Sequence, residues 1–159
     1  MKRHSLINVL HILDHSLPKQ SGYAYRSHAI LTGLQNRGVK LNVITGPKQG
    51  SVDESSSEVD GISYQRTFLS PDKSTSGIFG QVRTISSTRA KIAEVLGRKQ
   101  ASVIHAHSPC LNGLAAMGHG VPLVYEMRSS WEDAAVSVGT TSEGSLRYRV
   151  SKALSLIHI

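Results

Sequence analysis

Leu6-Ile-Asn-Val-Leu-His-Ile-Leu13 is an apolar run broken only by Asn8 and His11, and it gives way at once to Asp14-His-Ser-Leu-Pro-Lys-Gln-Ser-Gly22, a stretch of turn-forming residues. The period then changes. Tyr23, Ser27, Ile30, Leu31 and Leu34 fall on one helical face running to Arg37, and Gly38 supplies a stop signal. Leu41 to Thr45 follows within a few residues as a second short strand, the spacing of a parallel β-α-β unit.

Downstream the alternation continues. Gly46 to Asp60 is polar and rich in Ser, Gly and acidic residues, which predicts a mobile surface excursion with little to add to a core. Gly61 to Phe68 alternates weakly and predicts a third strand, at an edge. Ser70 to Ser76 reads as a loop. Ile78, Val82, Ile85, Ala90, Ile92, Ala93, Val95 and Leu96 then fit the buried stripe of a long, interrupted helix ending at Gly97. Ala101 to His107 reads as a fourth strand, Pro109 to Met117 as a short helix, Val121 to Glu126 as a fifth strand, and a last helix is expected from about Ser142. Sustained alternation of strand and helix predicts an α/β fold: a Rossmann-like, doubly wound, mostly parallel sheet with right-handed crossovers and helices on both faces.

Composition narrows the function classes. The 159 residues carry 18 Lys+Arg against 11 Asp+Glu, a formal charge of +7, which suits an anionic partner: a nucleotide, a phospholipid surface or nucleic acid. The basic residues are scattered, without aromatic interleaving or a nucleic-acid motif, so no nucleic acid is expected as partner. Cys110 is the single cysteine, which excludes an intrachain disulfide framework and fits a reducing cytoplasm. No run approaches the roughly 18 apolar residues that span a bilayer, so any membrane contact is expected to be peripheral, through anionic headgroups.

In an open parallel sheet, ligands bind beyond the carboxyl ends of the strands, where loops and helix N-termini converge. That rule brings three segments to one rim. The first strand delivers Asp14, His15 and the Ser21-Gly22 turn, with Tyr23 and Arg26 on the helix that follows; the fourth delivers His107 and Ser108; the fifth delivers Glu126, Arg128 and, in the next loop, Trp131. Ser21-Gly22 before a helix admits an anion close to the backbone, or merely turns the chain; neither the dinucleotide nor the P-loop fingerprint is present. His105 and His107 are two apart on a strand and share a face, yet no third ligand is evident, so no metal is expected. Of the two, His105 fits a satisfied core histidine better, and His107 a group that hydrogen-bonds a substrate hydroxyl. Ser108-Pro-Cys110 lacks a nucleophile elbow. Glu126 and Arg128 project to the same side and either grip a polar ligand or form a structural ion pair. Trp131 either anchors its loop or stacks on a sugar.

Six stretches carry a resemblance: Leu17-Pro-Lys-Gln-Ser-Gly-Tyr-Ala-Tyr-Arg-Ser-His28, Val59-Asp-Gly-Ile-Ser-Tyr-Gln-Arg-Thr67, Ile104-His-Ala-His-Ser-Pro109, Val124-Tyr-Glu-Met-Arg128, Trp131-Glu-Asp-Ala-Ala-Val136 and Gly144-Ser-Leu-Arg-Tyr148. Together they resemble the N-terminal domain of retaining, family 4 glycosyltransferases of the GT-B fold, in the branch associated with exosortase and exopolysaccharide loci. The resemblance implies a two-domain cytoplasmic enzyme that moves a sugar from a nucleotide-sugar donor to a glycan or lipid-linked acceptor, with no metal or other cofactor. It places Gly22 in the glycine loop facing the donor phosphates, His107 at the histidine that contacts the transferred sugar, and Glu126 and Arg128 in the loop lining the cleft. Ser130 stands where that branch has an aromatic residue. The family's second half, with its cations for the diphosphate and paired glutamates, has no counterpart in these residues. Residues 1–153 are therefore expected to be the acceptor-side domain of a longer enzyme, inactive alone, because a departing diphosphate needs those cations. Leu154-Ser-Leu-Ile-His-Ile159 reads as a translated sequencing adapter. A stand-alone α/β module that binds an anion or nucleotide without catalysis is the alternative.

Overall fold

A computed structural model of the chain describes residues 7–49, 56–69 and 75–128. Six strands and three helices follow in the order β1 (Asn8–Leu13), α1 (Gly22–Gln35), β2 (Lys40–Thr45), β3 (Ser56–Val59), β4 (Ile62–Arg66), α2 (Gly77–Arg98), β5 (Val103–His107), α3 (Cys110–Ala116) and β6 (Leu123–Glu126). The sheet order is β3-β4-β2-β1-β5-β6, parallel throughout except for β3, which runs antiparallel to β4. This is the Rossmann-like α/β architecture that the alternation predicts.

Each face of the sheet has its own core. On β1, Leu10 and Ile12 point one way, and they pack with Ile44, Ile104 and Ala106 against Ile92 and Val95 of α2 and Ala115 and Ala116 of α3. His11 and Leu13 alternate to the other face, where Leu13, Val43, Ile62 and Tyr64 meet Leu31 of α1. Each fully buried Leu or Ile contributes roughly 1.5–3 kcal/mol.

Local signals set the helix ends. Ser21 caps α1, its hydroxyl accepting from the Ala24 amide at 3.0 Å. At the other end Gly38 takes φ +80°, a left-handed conformation that glycine adopts without strain, and Val39 N–H returns to Leu34 O at 3.2 Å.

Three expectations are corrected. The polar segment 46–60 is no mere excursion: Pro47–Gln49 forms a 3₁₀ turn, Gln49 is buried, and Ser56–Val59 becomes the edge strand. Its amide and carbonyl groups are what a strand needs, whatever its side chains, and Gln49 clasps Ser16 through Oε1 at 2.7 Å and Nε2 at 3.1 Å. β4 accordingly lies inside the sheet. The long helix is continuous, and its stripe differs from the apolar one: Gly80, Thr84, Thr88, Ile92 and Val95 are buried, whereas Ile78, Phe79 and Val82 are exposed. Small side chains let its first half approach the backbone, with Thr88 close to Gly46. Trp131, Ser130, the last helix and the terminal six residues lie outside the described residues.

Candidate functional site

The chain order fixes where a ligand can enter. From β1 the chain steps to β2 and β4 on one side, then returns across α2 to β5 and β6 on the other. β1 leads into α1 on one face, and β5 leads into α3 on the opposite face. The two loops part between the carboxyl ends of β1 and β5, the crevice in which doubly wound sheets bind ligands.

Around that crevice the structure brings together most of the residues expected there. Glu126, at the end of β6, stands opposite His107 in the register. Its Oε2 lies 2.7 Å from His107 Nδ1 and 3.4 Å from His105 Nε2. Arg128 folds back over it: Nε donates to Glu126 Oε1 at 3.1 Å, Nη1 to Ser27 Oγ of α1 at 2.7 Å, and Nη2 reaches His107 Nδ1 at 2.5 Å. The guanidinium lies over the Tyr23 ring, 4.8 Å from its centroid. Ser108 completes the loop, its hydroxyl accepting from the Arg128 amide at 2.8 Å and donating to Glu126 O at 3.2 Å. Arg26 approaches Glu126 from the solvent side at 3.6 Å.

His15 sits beside this group. Its Nδ1 meets Asp14 Oδ2 at 3.1 Å, Nε2 meets the Ser21 hydroxyl at 2.7 Å, and its ring lies 4.8 Å from that of Tyr23. Burial works against the charge on Asp14, but the hydrogen bond with His15 and the charge of Lys48 outweigh it and hold the carboxyl below its usual range. Burial raises the Tyr23 phenol. Gly22 opens α1 with no positive φ, and an added Cβ would meet nothing within 4 Å. It is therefore not needed to turn the chain, and the space before it is open.

One participant was not anticipated. His11 stands opposite His105 in the β1–β5 register, and its Nδ1 lies 3.0 Å from His107 Nε2. The signal was present in the sequence, a histidine interrupting an apolar strand, but the partner is 96 residues away. The burial order of the other two is also the reverse of that expected: His107 is 1% exposed and His105 22%. His107 ends its strand beneath Arg128, which is itself tied to α1 through Ser27.

Burial lowers the pKa of all three histidines, and the positive charge of Arg128 adds to it; His11 falls to about 3. They are neutral at pH 7. A neutral His107 has two ways to satisfy its neighbours. With the proton on Nδ1 it donates to Glu126 and accepts from His11; with the proton on Nε2 it accepts from Arg128 and donates to His11. The site thus holds a proton that can sit at either end of one ring. Its outer wall is Glu126, 24% exposed, and Arg26, 61% exposed.

Other openings are less informative. A cavity of about 630 Å³ is lined by Asn8, Lys40, Asn42 and Lys99 at the amino ends of the strands, the opposite edge.

The glycosyl transferase 4-like domain model matches residues 21–156. The chain belongs to that family. Among solved structures the domain is similar to sucrose-phosphate synthase from Thermosynechococcus elongatus, with a TM-score of 0.66 and 10% identity, covering 93% of this chain and 40% of that one. The glycotransferase of kitacinnamycin aligns over 94% of this chain and 38% of that one, with a TM-score of 0.49 and 11% identity. No curated protein matches the chain. The glycosyltransferase domain thus spans about two fifths of the length of each of these two structures.

Proposed function

We propose that the domain is the acceptor-side half of a retaining glycosyltransferase of the GT-B fold, in the exosortase-associated branch. It would transfer a sugar from a nucleotide donor to a glycan or lipid-linked acceptor in the synthesis of a bacterial surface polysaccharide. A second domain following residue 153 would supply the donor pocket, which fits the two-fifths coverage of sucrose-phosphate synthase. The observation that carries this is the convergence of His107, Glu126, Arg128 and the N-terminus of α1 at the switch point of the sheet.

Each residue has a part in this reading. Gly22 leaves the α1 N-terminus open to the donor phosphates, whose charge the helix end favours. Glu126 and Arg26 form the wall that an acceptor hydroxyl meets first, with Tyr23, His15 and Ser108 holding or flanking it. His107 reaches the transferred sugar by exchanging Arg128 or Glu126 at Nδ1 for a sugar hydroxyl. An enzyme acting on lipid-linked acceptors would work at the inner face of the cytoplasmic membrane, where the charge of +7 favours anionic headgroups.

The test is to extend the gene past Ala153 and assay the product with nucleotide sugars. Transfer by the extended protein, none by the 159-residue chain, and a loss of at least a hundredfold in His107→Ala with the fold retained are expected. Turnover by the short chain, or an unchanged rate in His107→Ala, would overturn the assignment. A reading frame that ends without a second domain would favour the stand-alone anion-binding module instead.

A further inference from the structure

His11, His105 and His107 place one ring nitrogen each within 4.8 Å of one another. Three imidazoles converging on one face of a sheet are a donor set of definite chemistry. Nitrogen ligands suit Zn²⁺, Cu²⁺ and Ni²⁺, and three such ligands plus one open position is the arrangement of an accessible zinc site.

The geometry goes beyond proximity. The backbone register puts His11 directly across from His105, and His107 two residues further along the same face, so the positions are fixed by strand pairing and not by loops. Two nitrogens bound to one tetrahedral zinc at about 2.0–2.1 Å stand roughly 3.4 Å apart. His11 Nδ1 and His107 Nε2 are already 3.0 Å apart. The ring centroids of His105 and His107 are separated by 4.0 Å.

Two features outside the three rings support an ion there. Glu126 Oε2 lies 2.7 Å from His107 Nδ1, the place of the carboxylate behind a ligating histidine; in the tautomer protonated at Nδ1 it accepts that proton and the Nε2 lone pair faces inward. Second, His11 Nε2 is buried without a hydrogen-bond partner. Nothing holds the His11 proton on Nδ1 except His107, so it can move to Nε2 and free Nδ1 as a ligand. The positive charge of Arg128 opposes a cation, but Arg128 is ion-paired with Glu126 through Nε at 3.1 Å, so the two together add no net charge.

We propose that His11, His105 and His107 form a binding site for a divalent transition-metal ion, zinc best fitting three imidazoles and a carboxylate behind them. This rests on the histidine geometry and not on the transferase assignment. An ion there would occupy His107 Nε2 and exclude the bond to His11.

The experiment uses the purified, untagged 159-residue chain and Zn²⁺ alone, titrated against a chromophoric chelator at pH 7.5. One ion per chain with a Kd below about 1 µM is expected, together with X-ray absorption showing three imidazole ligands. His105→Gln should weaken binding at least a hundredfold; it is the least buried of the three, so circular dichroism can confirm that the variant folds. Glu126→Gln should weaken binding roughly tenfold to a hundredfold, and His119→Gln should leave it unchanged. Binding weaker than about 100 µM, equal binding by wild type and His105→Gln, or a loss in His119→Gln would each overturn the proposal.

Discussion

Arg66 and Arg128 are buried guanidiniums at the carboxyl edge of one sheet, and their partners differ in kind. Arg66, 2% exposed at the end of β4, donates to Ser16 Oγ at 2.6 Å, Leu17 O at 2.8 Å and Thr45 Oγ1 at 3.3 Å, and also to Ser57 Oγ. These hydrogen-bond acceptors are all neutral oxygens, and the guanidinium also lies over the Tyr64 ring, 5.3 Å from its centroid. Arg128, with a side chain 5% exposed beyond β6, is bound to a carboxylate, a hydroxyl, an aromatic face and a histidine. Arg66 ties the β1–α1 loop, β2, β3 and β4 into one arrangement. Arg128 instead joins groups that can trade protons and partners, as a site does and a strut does not.

The largest effect is expected at the strut. Arg66→Met leaves the Leu17 carbonyl and three hydroxyls without their charged donor, and should cost about 3 kcal/mol of stability, read as a lower urea midpoint with an unchanged slope. Arg66→Lys should recover only part of this, because an ammonium cannot serve four oxygens spread across a planar fork. A loss under about 1 kcal/mol in Arg66→Met would erase the distinction between the two arginines.

Acid should act on the other cluster. The His11 pKa is about 3 in the folded domain and near 6.5 when unfolded. A depressed folded pKa means that the unfolded chain takes up the proton first. The stability that His11 contributes is therefore complete above about pH 6.5 and is lost as pH falls toward 3. At pH 5 the loss is about 2 kcal/mol from this one group, and His107, also lowered by burial, adds to it. Measured with chelator present, wild type should lose stability between pH 6.5 and 5, and His11→Gln should lose about 2 kcal/mol less over the same interval. Equal pH slopes for the two proteins would show that His11 is not the group being protonated.

The fold was legible in the sequence because strand and helix periods alternate with clear punctuation. Leu10 and Ile12, Leu31, Ile92 and Val95 are core residues in the expected elements. The pattern misled where side chains and backbone disagree. Ser56–Val59 has a loop's composition and a strand's hydrogen bonds, and Ile78 and Val82 have a core's composition at exposed positions. At the site, the rule of carboxyl ends gathers His107, Ser108, Glu126 and Arg128 correctly, since it depends only on strand direction. It could not supply His11 or Ser27, because pairing between β1 and β5, and the tilt of α1 over the sheet, are properties of the folded chain. Nor could it reveal that the His107 nitrogens are already engaged.

The smallest effect on stability, and the sharpest on chemistry, is expected at Arg128. Its bonds go to Glu126, which keeps Arg26 at 3.6 Å, to Ser27, whose hydroxyl also donates to Tyr23 O at 2.7 Å, and to His107 Nδ1, which keeps Glu126 Oε2 at 2.7 Å. Arg128→Gln therefore orphans little and should cost about 1 kcal/mol, a third of the Arg66 effect. The same change removes a positive charge that lowers the pKa of His11, His105 and His107 together. All three should titrate at higher pH in the variant, visible as an upward shift of their imidazole resonances in an NMR titration. Arg66→Lys should leave those resonances where they are. If both variants moved them equally, the two arginines would be parts of one electrostatic network and the division between strut and site would fail; if only Arg128→Gln moves them, the protonation state of His107 is set locally, by the guanidinium that contacts its Nδ1.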